Sequence, residues 1–424
     1  MVHPILGQRV VREQLPTCRS CGDSNLKLVL SLGKMPLANA LLTEEQLRQP
    51  EPTYPLDLVF CRSCTLLQIT ETVPPDQLFS NYLYFSSFSE TMLQDSKELA
   101  QILIESHRLN ESSMVVELGS NDGYQLQFFQ ERKIPVLGID PARNIAEVAE
   151  KRGIHTLCRF FGKALAEELC KEGIQADIII AKNVLAHVAD LNGFVEGIRI
   201  LLKKHGAAVI EVPYVKDLID GHEFDTVYHE HLCYFSLTSL DHLFRSHEIV
   251  LSDVERIPIH GGSLHLTIAH ERETTPSMSV ATLLRREKDW GLDRLEVYLD
   301  FGQEVQRMKT SLLSLLRSLR GGGFHLAAYG AAAKGTVLLN YCHIGADLLD
   351  FVVDVSPHKQ GYYMPGVHLP IYPPSCLLDK MPDYTLILAW NLADEIMKQQ
   401  SEYIHRGGSF IVPIPEPRIL HRRE

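Results

Sequence analysis

Long apolar runs are missing from this sequence of 424 residues. None approaches the ~18 consecutive residues that a membrane-crossing helix requires. The opening MVHPILGQRVVREQ holds no apolar core of signal-peptide length. Positive charge is also scarce: 41 Lys and Arg face 53 Asp and Glu, a formal charge of −12. A nucleic-acid surface needs clustered cations, so nucleic-acid binding is excluded as the main activity. Solenoid-length repeats and low-complexity tracts are absent as well. The expectation is a soluble, cytoplasmic protein that engages neither membrane nor nucleic acid. Its length exceeds one ordinary core and implies two or three domains.

The chain divides into three blocks. Residues 1–80 are short-stranded and rich in Pro and Cys. Residues 81–275 alternate short apolar runs (MVVELG, IPVLGID, ADIIIAKN, AAVIEVP) with helical patterns such as NIAEVAEKRG. Residues 276–424 begin with a charged, helix-favouring stretch, Met278 to Leu319. Apolar runs then return in HLAAYG, LLDFVVDVS, YTLILAW and GSFIVPIP. Strands alternating with helices predict parallel sheets covered on both faces. The expected fold class is therefore α/β, with two doubly wound units and a small N-terminal module.

Nine cysteines without a secretion signal do not suggest a disulfide framework. Five lie scattered and are expected to be buried thiols. The other four form two CRSC knuckles, Cys18/Cys21 and Cys61/Cys64. Two such knuckles match tetrahedral zinc, and four thiolates leave no open position for chemistry, so the metal would be structural. A redox role is the alternative. It would call for one CxxC beside a βαβ pattern, not two copies in a small module.

VVELGSNDGYQLQFF runs from a strand through a glycine turn into a helix. Gly119 and Gly123 permit a tight turn beneath a ligand, and Asp140 closes the next strand, where a carboxylate can accept ribose hydroxyls. The loop lacks the middle glycine of a dinucleotide fingerprint and carries an acid. An acid is poor company for a pyrophosphate and acceptable beside the sulfonium and ammonium of S-adenosylmethionine. Here the sequence resembles the class I S-adenosylmethionine-dependent methyltransferases, a likeness extended by ADIIIAKNVLAHVADLNGFVEGIRILLKKHGAAVIEVP. The resemblance implies that Glu117, Gly119, Asn121, Asp122, Gly123, Asp140 and Asn183 serve the cofactor, with Phe160 and Phe161 near its adenine.

DTVYHEHLCYFS places Tyr228, His229, Glu230 and His231 side by side. A metal site at His229 and His231 lacks a third regularly spaced ligand, and His229 is expected to be structural. An extended strand would send Tyr228 and Glu230 to one face and the two imidazoles to the other, so a turn is expected. Together with YLYFSSFSETM, IHGGSLHL and the two knuckles, the segment resembles the three-domain sugar C-methyltransferases, which act on nucleotide-linked keto sugars. The resemblance spans nearly the whole chain. It implies a class I methyltransferase Rossmann-like domain between a zinc module and a C-terminal Rossmann-like domain. It also implies His231 as general base, Glu230 as its orienting partner or a substrate acceptor, and Tyr228 as enolate stabiliser or positioner. His187 becomes a second proton relay, and Tyr82 and Tyr84 belong to a lid over cofactor and sugar. A neutral-pH base and a hydroxyl donor suit proton removal beside a ketone.

HGGS, His260 to Ser263, has the small residues that close approach to a sugar needs, giving His260, Gly261 and Ser263 as substrate residues. Family members often carry Arg after GGSL, and this chain has His265. AAYGAAAKGTVLLNY forms a second glycine loop without a Walker signature. By resemblance it anchors the substrate's nucleotide, through Gly330, Lys334, Gly335, Asp354, Lys359 and Asn391. The nucleotide is left between thymidine and guanosine diphosphate, the methylated carbon is expected to be C3, and a monomer is expected. Two rivals remain at this level: an NAD-dependent sugar oxidoreductase or epimerase, and a non-catalytic nucleotide-sugar or S-adenosylmethionine sensor.

Overall fold

A computed structural model describes residues 16–79, 87, 90–258 and 261–420. The N-terminal module is built on β1 (Leu26–Met35), β2 (Tyr54–Cys61) and β3 (Leu67–Ile69), paired antiparallel. Each CRSC knuckle is a tight turn. The Gly22 amide donates to the Cys18 carbonyl and the Thr65 amide to the Cys61 carbonyl, both at 2.9 Å. Gly22 and Thr65 take the left-handed conformation that closes such turns. The four sulfurs converge within 4.8 Å of one another, with Cys18–Cys64 at 3.4 Å and Cys21–Cys61 at 3.6 Å. A tetrahedron with Zn–S bonds of about 2.3 Å has edges of about 3.8 Å, so the thiols fit a zinc ion.

The second unit contains β4 (Val115–Leu118), β5 (Val136–Ile139), β6 (Thr156–Leu157), β7 (Ala176–Lys182) and β8 (Leu202–Pro213). It also holds the hairpin β10 (Ile249–Ile257) and β11 (Ser263–His270). Their order is β10-β11-β8-β7-β4-β5-β6. The strands from β8 to β6 run parallel, and the hairpin adds antiparallel at one edge. Val115–Leu118 and Ile178–Ala181 are buried on both faces. That is why these strands read as apolar runs with no alternation, interrupted only by Glu117. Helices Arg143–Lys151, Lys163–Lys171 and Leu191–Leu201 lie between them, and the Asp190 side chain caps the last by accepting from the Gly193 amide at 2.9 Å.

One short strand, β9 (Cys233–Tyr234), leaves the second unit and joins the first. It pairs antiparallel with β3, Leu67 opposite Tyr234 and Gln68 opposite Cys233. The zinc module thus holds the chain immediately after His231.

Helices Met278–Trp290 and Leu295–Gly321 lead to the third unit. Its strands are β12 (Leu326–Tyr329), β13 (Val352–Val353), β14 (Ile371–Tyr372), β15 (Tyr384–Ile387), β16 (Ser409–Val412) and β17 (Arg418–Leu420). They are ordered β14-β13-β12-β15-β16-β17 and parallel except for the last pair. The longer helix packs on β1 so closely that a Cβ at Gly302 would lie 2.5 Å from the Val29 carbonyl oxygen. The first and third units also touch directly, through a Leu42–Tyr363 bridge and the Thr336 hydroxyl donating to the Ala38 carbonyl at 2.9 Å. One apolar core accordingly runs through all three units, including Phe60, Ile179, Ile210, Leu338 and Leu386. Among the described residues, no helix is long and apolar enough to cross a membrane.

Because the metal ties down the sheet that holds β9, Cys61→Ser should abolish zinc content by elemental analysis and lower the Tm by at least ~5 °C. Retention of the full Tm without zinc would contradict a structural role.

Candidate active site

A cavity of about 780 Å³ opens at the carboxyl ends of the parallel strands of the second unit, where open α/β sheets bind ligands. Three parts of the chain form its walls.

The first wall holds Gly119, Asn121, Asp140 and Asn183. Gly119 (φ +66°) must be glycine, since a Cβ there would come within 2.5 Å of Val184. The Asp140 carboxylate accepts from the Asn121 amide at 2.9 Å and from the Ala142 amide at 2.8 Å. A carboxylate offers about four acceptor positions, so two remain for ribose hydroxyls. Phe160 leaves 46% of its surface exposed beside the cavity, and Phe161 meets Phe194 edge-on. An open aromatic face next to an unsaturated carboxylate fits an adenosyl group.

Three expected cofactor residues stand behind this wall. Glu117 is fully buried in β4, and burial raises its carboxyl well above the usual range. Asp122 pairs with Arg152 at 3.0 Å and accepts from the Ser87 hydroxyl, so its charge is neutralised away from the ligand space. Gly123 is small because Ile154 packs against it. These residues shape the loop from outside the cavity lining.

The second wall is the turn that carries Tyr228 and His231, closed by the His231 amide donating to the Tyr228 carbonyl at 2.9 Å. His231 Nδ1 donates to the Thr226 carbonyl at 3.1 Å. A carbonyl only accepts, so the proton sits on Nδ1 and the lone pair on Nε2. Nε2 receives the Tyr228 hydroxyl at 2.9 Å. The His187 ring stands edge-on to His231 at 4.7 Å between centroids, and burial pushes its pKa down to about 4. It is therefore neutral at pH 7 and adds no charge beside the second imidazole.

Glu230 corrects an expectation. It does not orient His231. The turn sends it the other way, where Asn39 Nδ2 of the N-terminal module donates to it at 2.7 Å. Thr226 and Tyr228 orient the imidazole in its place. Burial pushes the Glu230 carboxyl up to about 7, with the Asn39 bond opposing. His229 is structural: its Nε2 donates to the Pro55 carbonyl at 3.1 Å, and its ring meets Tyr54 edge-on. Among the described residues the Cys18, Cys21, Cys61 and Cys64 group is the one cluster able to hold a metal.

The third wall comes from the C-terminal unit and includes Ala332, Lys334 and Asn391. Lys334 Nζ donates to Asn391 Oδ1 at 2.9 Å and lies 4.4 Å over the Trp390 ring. Gly330, Gly335, Asp354 and Lys359 build the loop without lining the cavity. Asp354 accepts the Ala331 amide at 2.7 Å, Lys359 Nζ donates to the Ala331 carbonyl at 2.8 Å, and Gly335 packs on Leu388. Gly330 adopts φ +98° where the loop leaves β12.

The HGGS glycines have a packing reason of their own, and Gly262 also lines the cavity. A Cβ at Gly261 would strike the Glu223 carboxylate, and one at Gly262 the Asp217 carboxylate. Ser263 is buried in the hairpin ladder opposite Pro213. His265, where Arg is common, sits opposite Glu211 in the same ladder, and burial lowers its pKa. Tyr82, Tyr84 and His260 lie outside the described residues. Sequence reasoning missed Asn39, Glu223, Thr226, Asp225 and Trp390. Trp390 Nε1 donates to the fully buried Asp225 at 2.8 Å, across 165 residues of chain. No local pattern announces such a pair.

Three family models match consecutive stretches: a zinc-binding domain over residues 18–79, a methyltransferase domain over 92–248 and a C-methyltransferase C-terminal domain over 258–415. The chain is 37% identical to C-methyltransferase NovU of Streptomyces niveus over 416 residues, covering 97% of this chain and 98% of that one. Similar solved structures include the magnesium protoporphyrin IX methyltransferase of Synechocystis PCC 6803 with bound SAM. It is 11% identical, with 42% of this chain and 79% of that chain covered at TM-score 0.32. The PH0226 protein of Pyrococcus horikoshii OT3 is 13% identical, with 47% and 100% covered at TM-score 0.37. The full-length match and the domain order leave no place for the oxidoreductase or sensor readings. With its four-thiolate zinc site and adenosyl-fitting wall, the chain belongs to the S-adenosylmethionine-dependent C-methyltransferases.

Proposed function

We propose that the acceptor is a nucleotide-diphosphate 4-keto sugar, methylated at the ring carbon beside the ketone, with C3 the position expected. The observation that carries this reading is the convergence of the Tyr228–His231 pair and Lys334 on one cavity. The pair suits proton removal, and the lysine suits an anionic handle held at a distance. A remote diphosphate orients a small ring that offers few contacts of its own.

On this reading His231 Nε2 takes the proton from the carbon next to the ketone. Its Nδ1–H stays on the Thr226 carbonyl, which stabilises the imidazolium as it forms. Tyr228, bonded to Nε2 before the acceptor arrives, turns its hydroxyl to the developing enolate oxygen. Asp140, Asn183 and Asn121 hold the cofactor. When bound, S-adenosylmethionine supplies the electrophilic methyl group that the carbanion takes up. The C-terminal unit anchors the nucleotide, thymidine or guanosine diphosphate, beside Lys334 and Asn391. Cofactor and acceptor walls belong to one chain, which favours a working monomer.

Mass spectrometry of a panel of thymidine- and guanosine-diphosphate 4-keto sugars with S-adenosylmethionine should show a one-methyl gain on one of them. His231→Asn should lose about 10²- to 10⁴-fold in turnover and keep its cofactor affinity. Near-wild-type turnover in that variant would remove His231 from the role of base.

The Glu230 carboxyl gives a second test. Its folded pKa, about 7, lies above the 4.5 of an exposed glutamate, so the folded state holds a proton that the unfolded chain releases. Its contribution is complete below pH ~4.5 and lost as pH rises through ~7. Glu230→Gln should therefore flatten the decline in unfolding free energy between pH 5 and 7 by a few kcal/mol. Parallel curves for variant and wild type would show an ordinary carboxylate there.

A further inference from the structure

Glu223 follows helix Val215–Asp220 and lines the same cavity with 8% of its surface exposed. Its carboxyl accepts no hydrogen bond from any described residue. The nearby cations are committed elsewhere: Lys334 to Asn391 and the Trp390 ring, and Arg256 to Asp217. Space for the carboxyl is nonetheless built in. A Cβ at Gly261 would lie 2.7 and 2.8 Å from its two oxygens, and one at Gly221 2.9 Å from Oε1. Gly261 adopts φ +97°, a conformation that side-chain-bearing residues rarely take. The fold thus removes a carboxyl from bulk water, gives it no hydrogen-bond partner among the described residues and turns it to the cavity. An arrangement of this kind is costly unless a ligand completes it.

The neighbours narrow the ligand chemistry. Burial pushes the Glu223 pKa up to about 8; Lys334 draws it down, and Asp225 and Asp217 raise it. A phosphate at this point would repel the ionised form. A hydroxyl donates to the carboxylate and accepts from the carboxylic acid, so it suits both. We propose that Glu223 is a specificity-determining contact, exchanging a hydrogen bond with a ring hydroxyl of the acceptor sugar. The inference rests on the keto-sugar reading given above.

The test compares wild type, Glu223→Ala and Glu223→Gln on the keto sugar that wild type methylates and on analogues of it each lacking one ring hydroxyl. S-Adenosylmethionine affinity is measured alongside. Glu223→Ala should raise the acceptor KM about tenfold or more while cofactor affinity stays within about twofold. The penalty should vanish on the one analogue that lacks the contacted hydroxyl. Glu223→Gln, of the same size, should show a smaller penalty erased by the same analogue, and it carries the test if the alanine variant does not fold. Unchanged kinetics in the variants, or a loss equal on every analogue, would overturn the proposal and leave the acceptor class standing. If wild type methylates no nucleotide keto sugar, the acceptor reading fails and the Glu223 proposal falls with it.

Discussion

The pairing of β9 with β3 fixes where the active turn can be. Between the helix that ends at Asp220 and the helix that begins at Leu237 the chain forms no long element of its own. Its buried polar groups must find partners outside, since each one left unmade costs about 1–3 kcal/mol. Three neighbours supply them. The zinc module takes Cys233–Tyr234 into its sheet and, through Asn39, the Glu230 carboxylate. The methyltransferase unit takes the Leu232 amide on the Ala186 carbonyl at 2.7 Å, beside His187. The C-terminal unit gives the Trp390 Nε1–H to Asp225. Thr226, adjacent to Asp225, then holds His231 Nδ1. A metal site that stands outside the cavity therefore helps to set the position of an imidazole.

The surroundings of the turn favour the neutral form of its titratable groups. Burial pushes Glu223 up to about 8, Asp225 to about 7 and Glu230 to about 7, and it pushes His187 down to about 4. Each shift has the same cause: the turn is packed between domains, and low dielectric penalises every charged form. A proton taken up by His231 thus meets no competing cation from His187.

What the sequence made legible was local. The cysteine knuckles, the apolar strand runs and the glycine turn at Gly119 each follow from residues close together in the chain, and the structure shows all of them. So is the turn at Tyr228–His231, expected because a strand would split its side chains between two faces. The hairpin Ile249–Ile257 and Ser263–His270 escaped notice because its alternation is diluted by charges on the exposed face. Glu230, Asp122 and the HGGS glycines were visible as residues, but the contacts the structure gives them were not. Their partners, Asn39, Arg152, Glu223 and Asp217, are chosen by tertiary packing and not by spacing. The Asp225–Trp390 bond joins two domains, and nothing local to either residue points to the other.

The central claim is that neighbouring domains hold the turn in register for proton removal. Trp390→Phe tests it most directly, because it keeps the ring beneath Lys334 and deletes the bond to Asp225. The account predicts a fall in kcat of at least about tenfold, with zinc content and S-adenosylmethionine affinity unchanged. A wild-type kcat in that variant would contradict it.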